Sequence, residues 1–596
     1  MLASIIRRFP HWIAAGLIAG LACGLYWPFL GSPRVFDDWV FFSGQSFSYY
    51  ATHPFGLELR LPAYFSLAVT EVEIGGLVPH RIVSLALHIT CALILYKLTY
   101  DLLRLVTPAG RSEYASGANA TAWALLGAIA FAIHPVAVYG AAYLIQRTVV
   151  LATLFSMLSI VLFVRGLARS RHADAVSAAL MYSVAVLSKE HSILLPGAAV
   201  LAVLLVGAER RFAVRHAAIY LLACAPAAIF VTLFRTWLIG RAYEPDFGAV
   251  ANQLEGVFGH AVADFSWWMS AVTQAGLFFK YLALWLWPDT RAMSIDIRVD
   301  FLQTWSAGWI VLKVSAFVAF GALGFLLLRR RGRAGVAGFG MLYTWILFLV
   351  ELSTARFQEP FVLYRSYLWA PGVLIAVVAT LSAFPLRAAI AASVLAIPLL
   401  LYQAHDRLAV FSSSFLLWED AVAKLPEKPV PWGSRTLYMM GREYVYRGQP
   451  DKAIQIAEKC MAQYPGTVHC HYARGVVHFL QGQYDLALRH LVRAVELQPD
   501  SGIAHHRLGL VLERLGRTRE AKAEYGRASD LGFKGADFEI KRLESWRRGF
   551  RSGKGRLGLA LKGGAEIRPR ELSVATGITL AACESARSGR RLFRAT

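Results

Sequence analysis

The chain has 596 residues, of which 56% are hydrophobic and only 17% are charged, and its mean hydropathy is +0.47. Soluble domains are usually about 45–50% apolar and about 25% charged, so this composition excludes an ordinary soluble protein and predicts a polytopic membrane protein. The net charge of +22 does not indicate nucleic-acid binding, because Lys and Arg cluster in short loops between apolar runs, as membrane topology requires.

The N-terminal segment combines basic residues with a long apolar run. Arg7 and Arg8 precede a run that reaches Leu30. The run is too long for a signal-peptide core and no small-residue cleavage site follows, so we expect an uncleaved signal anchor with a cytoplasmic N-terminus. Two adjacent acids, Asp37 and Asp38, follow the run directly. They are then predicted to lie on the outer face, opposite the basic end.

Apolar runs of roughly 17–25 residues are long enough for a helix to cross a bilayer. Such runs lie near 12–30, 83–103, 120–140, 148–165, 175–188, 192–208, 215–236, 306–328, 336–353, 365–384 and 388–403. With the N-terminus inside, the densest basic loops of this half, at 165–171, 210–215 and 329–333, are all cytoplasmic. Residues 264–287, with Trp at both ends, are then interpreted as an interfacial or re-entrant helix. The sequence predicts eleven spans, a cytoplasmic N-terminus and an extracytoplasmic C-terminus.

A 34-residue period appears after about residue 432. Gly441, Gly475 and Gly509 are 34 residues apart, and Ala453, Ala487 and Ala521 keep the same spacing. Small residues in phase, with Pro465 and Pro499 closing two units, are the tetratricopeptide (TPR) pattern of stacked helix pairs. Such a stack usually binds a peptide or helix on its concave face, although a bracing role without a ligand is the alternative.

The sequence thus predicts an all-α protein with four segments. These are a membrane helix bundle at 1–404, a linker at 405–431, TPR repeats at 432–545 and a basic, disordered tail at 546–596. Six cysteines show no metal-binding spacing. Cys460 and Cys470, both in the repeats, are expected to be separate packing thiols rather than a disulfide.

Ionisable residues gather on the predicted outer face. Such groups at membrane depth usually face a cavity on a functional path. Asp37 and Asp38 are the candidates for a catalytic carboxylate that accepts the proton of an acceptor hydroxyl. The candidates for binding a substrate or a lipid phosphate are Arg60, His134, Arg147, Lys189, Glu190, Arg356, Tyr364, Arg365 and Tyr367.

Each candidate also has a structural interpretation. Asp37 and Asp38 could cap an interfacial helix, and His134 before Pro135 could be a helix-end residue. Lys189 and Glu190 could form a local ion pair, and Arg365 could extend to the lipid headgroups. The acid pair could also bind a divalent metal, but no second set of ligands can be read, so no metal site and no cofactor is assigned.

Several ordered motifs resemble the transmembrane-and-tetratricopeptide O-mannosyltransferase family and its bacterial relatives. The resemblance covers roughly residues 30–535. Its motifs are Val35-Phe-Asp-Asp38, Gly75-Gly-Leu-Val-Pro-His80 with His88, Phe131-Ala-Ile-His-Pro-Val136 with Arg147, Leu187-Ser-Lys-Glu190 and the Trp287–Asp296 stretch. The chain departs from the family at Tyr364-Arg-Ser-Tyr367, where Glu-Arg-Tyr is common, so mannose is not assumed.

The resemblance implies a GT-C-type glycosyltransferase of a bacterial inner membrane, with Asp38 in its catalytic region. Its donor would be a polyprenyl-phosphate-linked sugar, and its acceptor a hydroxyl of an exported protein bound by the TPR domain. Two alternatives stay open. The same fold could glycosylate a lipid or an envelope polysaccharide, or the chain could be a non-enzymatic membrane-anchored scaffold.

Overall fold

A computed structural model describes residues 11–42, 46–54, 56, 58–106, 113–235, 261–299, 307–356, 359–533 and 535–551. The chain forms two compact units, Met1–Lys424 and Leu425–Thr596. In the parts of both units that are described, the regular structure is helical, and extended pairing is limited to one isolated bridge between Ile297 and Phe361.

The first unit is a bundle of apolar helices connected by short loops. Its α-helices are α1 (His11–Tyr26), α2 (Asp38–Phe42), α3 (Ser46–Thr52), α4 (Leu61–Val69), α5 (Leu77–Leu105), α6 (Glu113–Ala132), α7 (Pro135–Ala141), α8 (Arg147–Arg169), α9 (Ala173–Ser188), α10 (Leu195–Val200), α11 (Arg210–Arg235), α12 (Ala261–Leu286), α13 (Ala307–Arg329), α14 (Gly332–Phe348), α15 (Ala370–Leu381), α16 (Leu386–Phe411) and α17 (Ser414–Ala423). Helix α8 is buried over most of its length and lies at the centre of the bundle.

Among the described residues, seven helical segments are long and apolar enough to cross a membrane. They are His11–Phe29, Leu77–Leu105, Leu144–Arg169, Arg210–Phe234, Gly308–Arg329, Gly332–Leu352 and Leu386–Phe411. An eighth arises if Gly117–Ala132 and Pro135–Ala141, bent by 60° at His134, count as one span. The predicted spans at 175–188, 192–208 and 365–384 correspond to shorter apolar helices. The predicted membrane helix bundle is therefore confirmed, whereas the side of each loop stays a prediction.

The segment predicted to be interfacial or re-entrant is a single continuous helix. Helix α12 has 26 residues and is therefore about 39 Å long at 1.5 Å per residue. It buries Met269, Phe278, Tyr281 and Trp285 at intervals along its length. The predicted helix at 264–287 is therefore present, and its interfacial or re-entrant position stays a prediction.

The second unit is a solenoid of paired antiparallel helices. Its helices are α18 (Gly433–Tyr446), α19 (Pro450–Gln463), α20 (Val468–Leu480), α21 (Tyr484–Leu497), α22 (Gly502–Arg514), α23 (Thr518–Asp530) and α24 (Gly535–Arg551). Gly448, Gly482 and Gly516 connect the two helices of successive pairs with φ of 65°, 74° and 76°. Glycine adopts this left-handed conformation without steric cost, so the turn recurs in each repeat.

The small residues of the repeats lie where paired helices cross. A Cβ on Gly475 would meet the Leu491 side chain at 2.6 Å, and one on Gly509 would meet Tyr525 at 2.6 Å. Glycine at these positions therefore permits the close approach, and the predicted TPR solenoid is confirmed. Helix α24 continues into the predicted basic tail, and the remainder of that tail, 552–596, lies outside the described residues.

The prediction for the two cysteines of the repeats is wrong. Cys460 and Cys470 form a disulfide with a Cα–Cα distance of 5.3 Å. Cys460 is in the last turn of α19, and Cys470 is in the first turn of α20. The tight connection between these helices brings the two thiols together, and their spacing in the sequence did not reveal it.

Candidate functional site

Asp38 is the first residue of α2, on the loop that follows α1. Its side chain is fully buried, and its two carboxylate oxygens accept hydrogen bonds from the backbone N–H groups of Val35 (3.0 Å) and Ile145 (2.8 Å). Burial raises the pKa of Asp38 to about 6, although nearby Arg81 and Arg34 and the two N–H groups oppose the shift. Asp38 thus connects two loops distant in sequence and is not open to a substrate.

Asp37 has a different environment from its neighbour. Asp37 is partly exposed, and its backbone N–H donates to the hydroxyl oxygen of Tyr143 at 2.9 Å. The predicted acid pair is therefore one fully buried residue, Asp38, and one partly exposed residue, Asp37.

A carboxylate not predicted from the sequence fixes the loop before the acid pair. Glu71 lies on a π-helical turn, Thr70–Ile74, and accepts two hydrogen bonds from Arg34 Nη2 at 2.8 and 2.9 Å. Its Oε2 also lies 2.8 Å from His80 Nε2. Charge-assisted, two-point contacts of this kind hold their partners in a defined geometry. Glu71 therefore positions the segment that begins with Arg34.

A second group of charged residues surrounds the break between α9 and α10. Arg60 makes a two-point contact with Glu190, with Nη2–Oε1 at 2.7 Å and Nε–Oε2 at 3.2 Å. Arg60 and Lys189 dominate the charges that hold the pKa of Glu190 well below its ordinary value, against the opposing effect of burial. The predicted Lys189–Glu190 step is thus brought together with Arg60 from the loop before α4.

Glu351, which the sequence analysis missed, joins a further set of cations to this group. Its Oε2 lies 3.0 Å from Arg356 Nε and 3.5 Å from Arg365 Nη1, while its Oε1 lies 3.3 Å from His191 Nε2. Arg365 also donates to the Glu359 carbonyl oxygen at 2.9 Å. Glu351 lies within the apolar run 336–353, which the sequence analysis treated only as a membrane span. A charged residue inside a predicted span was the one signal that could have identified Glu351 as a site residue.

Lys189 lies among these cations and is buried, with 8% of the residue exposed. Its ammonium group donates no side-chain hydrogen bond within the described part of the chain, while Arg60, Arg365 and Arg356 all lie close enough to act on it electrostatically. Burial, followed by these charges, lowers the pKa of Lys189 to about 7, against the opposite effect of Glu190. Neighbouring cations disfavour the charged form of Lys189, and an anion would offset their repulsion, so the position suits an anionic ligand.

We name this group the cationic cluster: Arg60, Lys189, Arg356 and Arg365, with the carboxylates of Glu190, Glu351 and Glu359 and the imidazole of His191. The four basic residues outnumber the three carboxylates, so the cluster has an excess of one positive charge when Lys189 is protonated and His191 is neutral. Burial is the main reason that the pKa of His191 falls to about 4, which keeps it neutral at pH 7.

Two tyrosines connect the loop that carries Asp37 and Asp38 to the cationic cluster. Tyr143, whose hydroxyl accepts from Asp37, packs edge-on against Tyr364, with ring centroids 6.0 Å apart. Tyr364 directly precedes Arg365 on the 3₁₀ helix Leu363–Leu368. The structure thus places a partly exposed carboxylate and an excess of buried positive charge on adjoining elements of one unit.

Three of the predicted site residues lie elsewhere and have structural contacts. Arg147 is buried and donates to neutral acceptors, including Ser66 and Ser84, at 3.0–3.3 Å. His134 accepts from the Val136 N–H at the start of α7 and stacks on Trp285, with centroids 4.3 Å apart. Tyr367 is fully buried, and its hydroxyl lies 2.6 Å from Nδ1 of His88.

No group of three or more His, Cys, Asp or Glu side chains is arranged to bind a metal ion in the portion of the chain that the structure describes. Both carboxylate oxygens of Asp38 accept backbone hydrogen bonds.

Comparisons with known proteins extend over both units. Residues 435–467 match the tetratricopeptide repeat family and residues 475–516 match the TPR repeat family. No curated protein matches the sequence. Among solved structures, MamA of AMB-1 is 23% identical over 23% of this chain and 77% of its own, with a TM-score of 0.17.

The second solved structure is the archaeal oligosaccharyltransferase AglB from Archaeoglobus fulgidus, in complex with an inhibitory peptide and a dolichol-phosphate. It is 14% identical, and the match covers 76% of this chain with a TM-score of 0.35. The match spans 60% of the length of AglB. Both similarities are distant.

Proposed function

We propose that this protein is a membrane glycosyltransferase that transfers a sugar from a polyprenyl-phosphate donor to a hydroxyl of an exported protein. The observation that supports this most directly is the cationic cluster, in which Lys189, 8% exposed, donates no hydrogen bond to another described residue and lies among three arginines. A phosphate supplies anionic oxygens to such a group, and arginine binds these oxygens at two points.

Positive charge in the cationic cluster stabilises the leaving group of the reaction. When the bond between the anomeric carbon and the phosphate oxygen breaks, its electron pair goes to the phosphate. Lys189 and Arg365 stabilise that charge as it develops, and a water-poor site strengthens the effect. The released product is polyprenyl phosphate, and the donor sugar is not assigned.

The loop that carries Asp37 and Asp38 assists the attack by the acceptor hydroxyl. Asp37 accepts the proton of the acceptor hydroxyl as the new bond from its oxygen to the anomeric carbon forms. Asp38 is a positioning residue, because its buried carboxylate fixes the loop through the N–H groups of Val35 and Ile145. This division of roles refines the prediction that treated both acids as catalytic.

The second unit supports a protein acceptor on the outer face of a bacterial inner membrane. TPR stacks present a surface that suits protein segments. The Cys460–Cys470 disulfide suits an oxidising compartment, since thiols of the cytosol are kept reduced. Both features fit repeats that receive a substrate after its export.

The proposal is tested by binding of undecaprenyl phosphate, the product class, to the full-length protein in nanodiscs. Lys189→Met keeps the length of the side chain but removes its charge. We expect it to weaken binding about ten- to a hundredfold, as loss of one charge-assisted contact does. Lys97→Met is the matched control, because Lys97 is exposed and pairs with Asp101 on α5. Equal affinity of the two variants would contradict the phosphate site.

A further inference from the structure

The first helices of successive TPR pairs enclose a groove within the second unit. Its lining includes Tyr438, Arg442, Val445, Tyr472, Ile503 and Arg507, from α18, α20 and α22. The space is about 530 Å³, including a part that is open to solvent.

Aromatic rings form one wall of this groove, which we name the tyrosine groove. Tyr438 and Tyr472 occupy the same position in consecutive repeats, 34 residues apart. Their ring centroids are 5.4 Å apart in an edge-on arrangement. The apolar side chains of Val445 and Ile503 complete the lining. Such a surface favours the apolar parts of an extended chain.

The groove also has two guanidinium groups, and no Asp or Glu is among its lining residues. Nε of Arg442 is buried and donates no hydrogen bond in the portion of the repeats that the structure describes. Nε of Arg507 donates to the hydroxyl of Tyr472 at 3.1 Å, and 5% of Arg507 is exposed. Glu443, next to Arg442 in sequence, is the carboxylate that acts on Arg442. The lining itself therefore offers a ligand guanidinium groups but no carboxylate.

We propose that the tyrosine groove binds an acidic segment of the acceptor protein, with a carboxylate at Arg442 and apolar side chains against the tyrosines. The identity of the partner as an acceptor rests on the proposed function. A carboxylate can satisfy the unpartnered N–H of Arg442 and neutralise the local charge, which a neutral peptide cannot do. The repeats would then select substrates by charge before the transfer site acts on them.

The test uses full-length protein in nanodiscs of neutral lipid and three fluorescent peptides. One has Glu between Leu and Val residues and an amidated C-terminus, the second has Gln in place of Glu, and the third is the Gln peptide with a free C-terminal carboxylate. Fluorescence anisotropy should show the Glu peptide binding at least tenfold more tightly than the amidated Gln peptide. Tight binding of the third peptide would identify a terminal carboxylate as the source of the acidic group.

Arg442→Gln should weaken binding of the Glu peptide about ten- to a hundredfold, since a charge-assisted contact is lost. Arg442→Lys should restore part of the affinity, because it keeps the charge without the planar fork. Arg493→Gln removes the same charge from the outer helix α21, where Arg493 is half-exposed and pairs with Glu496, and should change nothing. Circular dichroism melting of each variant confirms that the repeats are folded.

Equal binding of the Glu and Gln peptides, or equal effects of Arg442→Gln and Arg493→Gln, would overturn the proposal. Loss of binding to vesicles with anionic lipid, with peptide binding unchanged, would instead assign Arg442 to the membrane and also overturn it. The readout involves no sugar. Selective peptide binding by a chain that transfers no sugar would therefore refute the proposed function and leave the ligand of the groove established.

Discussion

Asp37 and Asp38 show how much neighbouring residues can differ. The sequence predicts two acids at a membrane surface. They are candidates because an ionisable group at membrane depth is unfavourable and usually has a function. The sequence does not predict that Asp38 is enclosed by N–H groups from Val35 and Ile145, because Ile145 is more than a hundred residues away. Long-range contacts of this kind decide which acid meets the substrate.

The cationic cluster was predictable in part. Arg60, Lys189, Arg356 and Arg365 were candidates because each interrupts or borders an apolar run. Glu351 and His191 were missed, since their role depends on how the 3₁₀ helices Glu190–Leu194 and Leu349–Leu352 pack against each other. The sequence identifies charged residues in or beside apolar runs, whereas only the fold shows which of them form ion pairs with one another.

The pH dependence of transfer should reflect the state of Asp38. Burial raises its pKa to about 6, so its carboxylate is ionised above this pH and protonated below it. Protonation removes an acceptor from one of the two loop N–H groups, and transfer should decline as the pH falls through about 6. The raised pKa also means that the folded state binds this proton more tightly than the unfolded state, so the decline is not unfolding through Asp38.

Initial rates between pH 5 and 8 measure this effect. The Asp38→Asn protein has no titratable group at the position and should lack the inflection near pH 6, with a lower rate throughout. An unchanged inflection in that variant would assign the titration to another group.

At the scale of elements, apolar length and helical breaks were predictable. The Ser188–Ser192 meeting point of two short runs corresponds to the junction of α9 with the 3₁₀ helix Glu190–Leu194. The His134-Pro135 step ends one helix and begins another, with a 60° bend, because proline lacks an N–H and is favoured at the first helical position. Helix α12 agrees with the helix predicted over 264–287, but the positive-inside rule reports the sides of loops and does not fix the position of that helix in the membrane.

The repeats contain a pH-sensitive contact between two histidines, and the equivalent positions of the next repeat hold a different pair. Nδ1 of His471 lies 3.2 Å from Nδ1 of His490, and the pair 34 residues later is His505 with Glu524, at 2.6 Å. Burial, followed by His471, His478 and Arg474, lowers the pKa of His490 from an ordinary 6.5 to about 4. Stability from this contact is therefore complete above pH 6.5 and is lost as the pH falls towards 4.

Hydrogen exchange of α20 and α21 in the full-length protein checks this prediction. At pH 5, corrected for intrinsic exchange rates, wild type should be less protected than at pH 7.5. His490→Gln cannot take up a proton and should keep its protection. Equal loss of protection in both proteins would show that another group is responsible.

At the scale of the whole molecule, the two units have different sequence signals. Hydropathy predicts the membrane bundle, and the 34-residue period predicts the solenoid. Neither predicts the Cys460–Cys470 disulfide, because the connection between α19 and α20 brings the thiols together only after the helices pair. The disulfide nevertheless bears on the proposed topology, since disulfides persist mainly in oxidising compartments.

Cysteine labelling in intact cells tests that topology. In a protein whose other cysteines are replaced by serine, Cys460 and Cys470 should resist a maleimide reagent until a reductant is added. A gel shift reports each labelled thiol. Labelling of both cysteines without reductant would place the repeats in a reducing compartment and contradict an outer position.

The central claim is that Asp37 accepts a proton during transfer of a sugar to exported proteins. The most direct measurement is intact-mass and glycopeptide spectrometry of envelope proteins from cells with wild type, Asp37→Asn or no copy of the chain. We predict a sugar mass with wild type that falls at least about a hundredfold with Asp37→Asn, as loss of a general base does. Identical spectra from the three cell types, with both proteins inserted in the membrane, would contradict the claim.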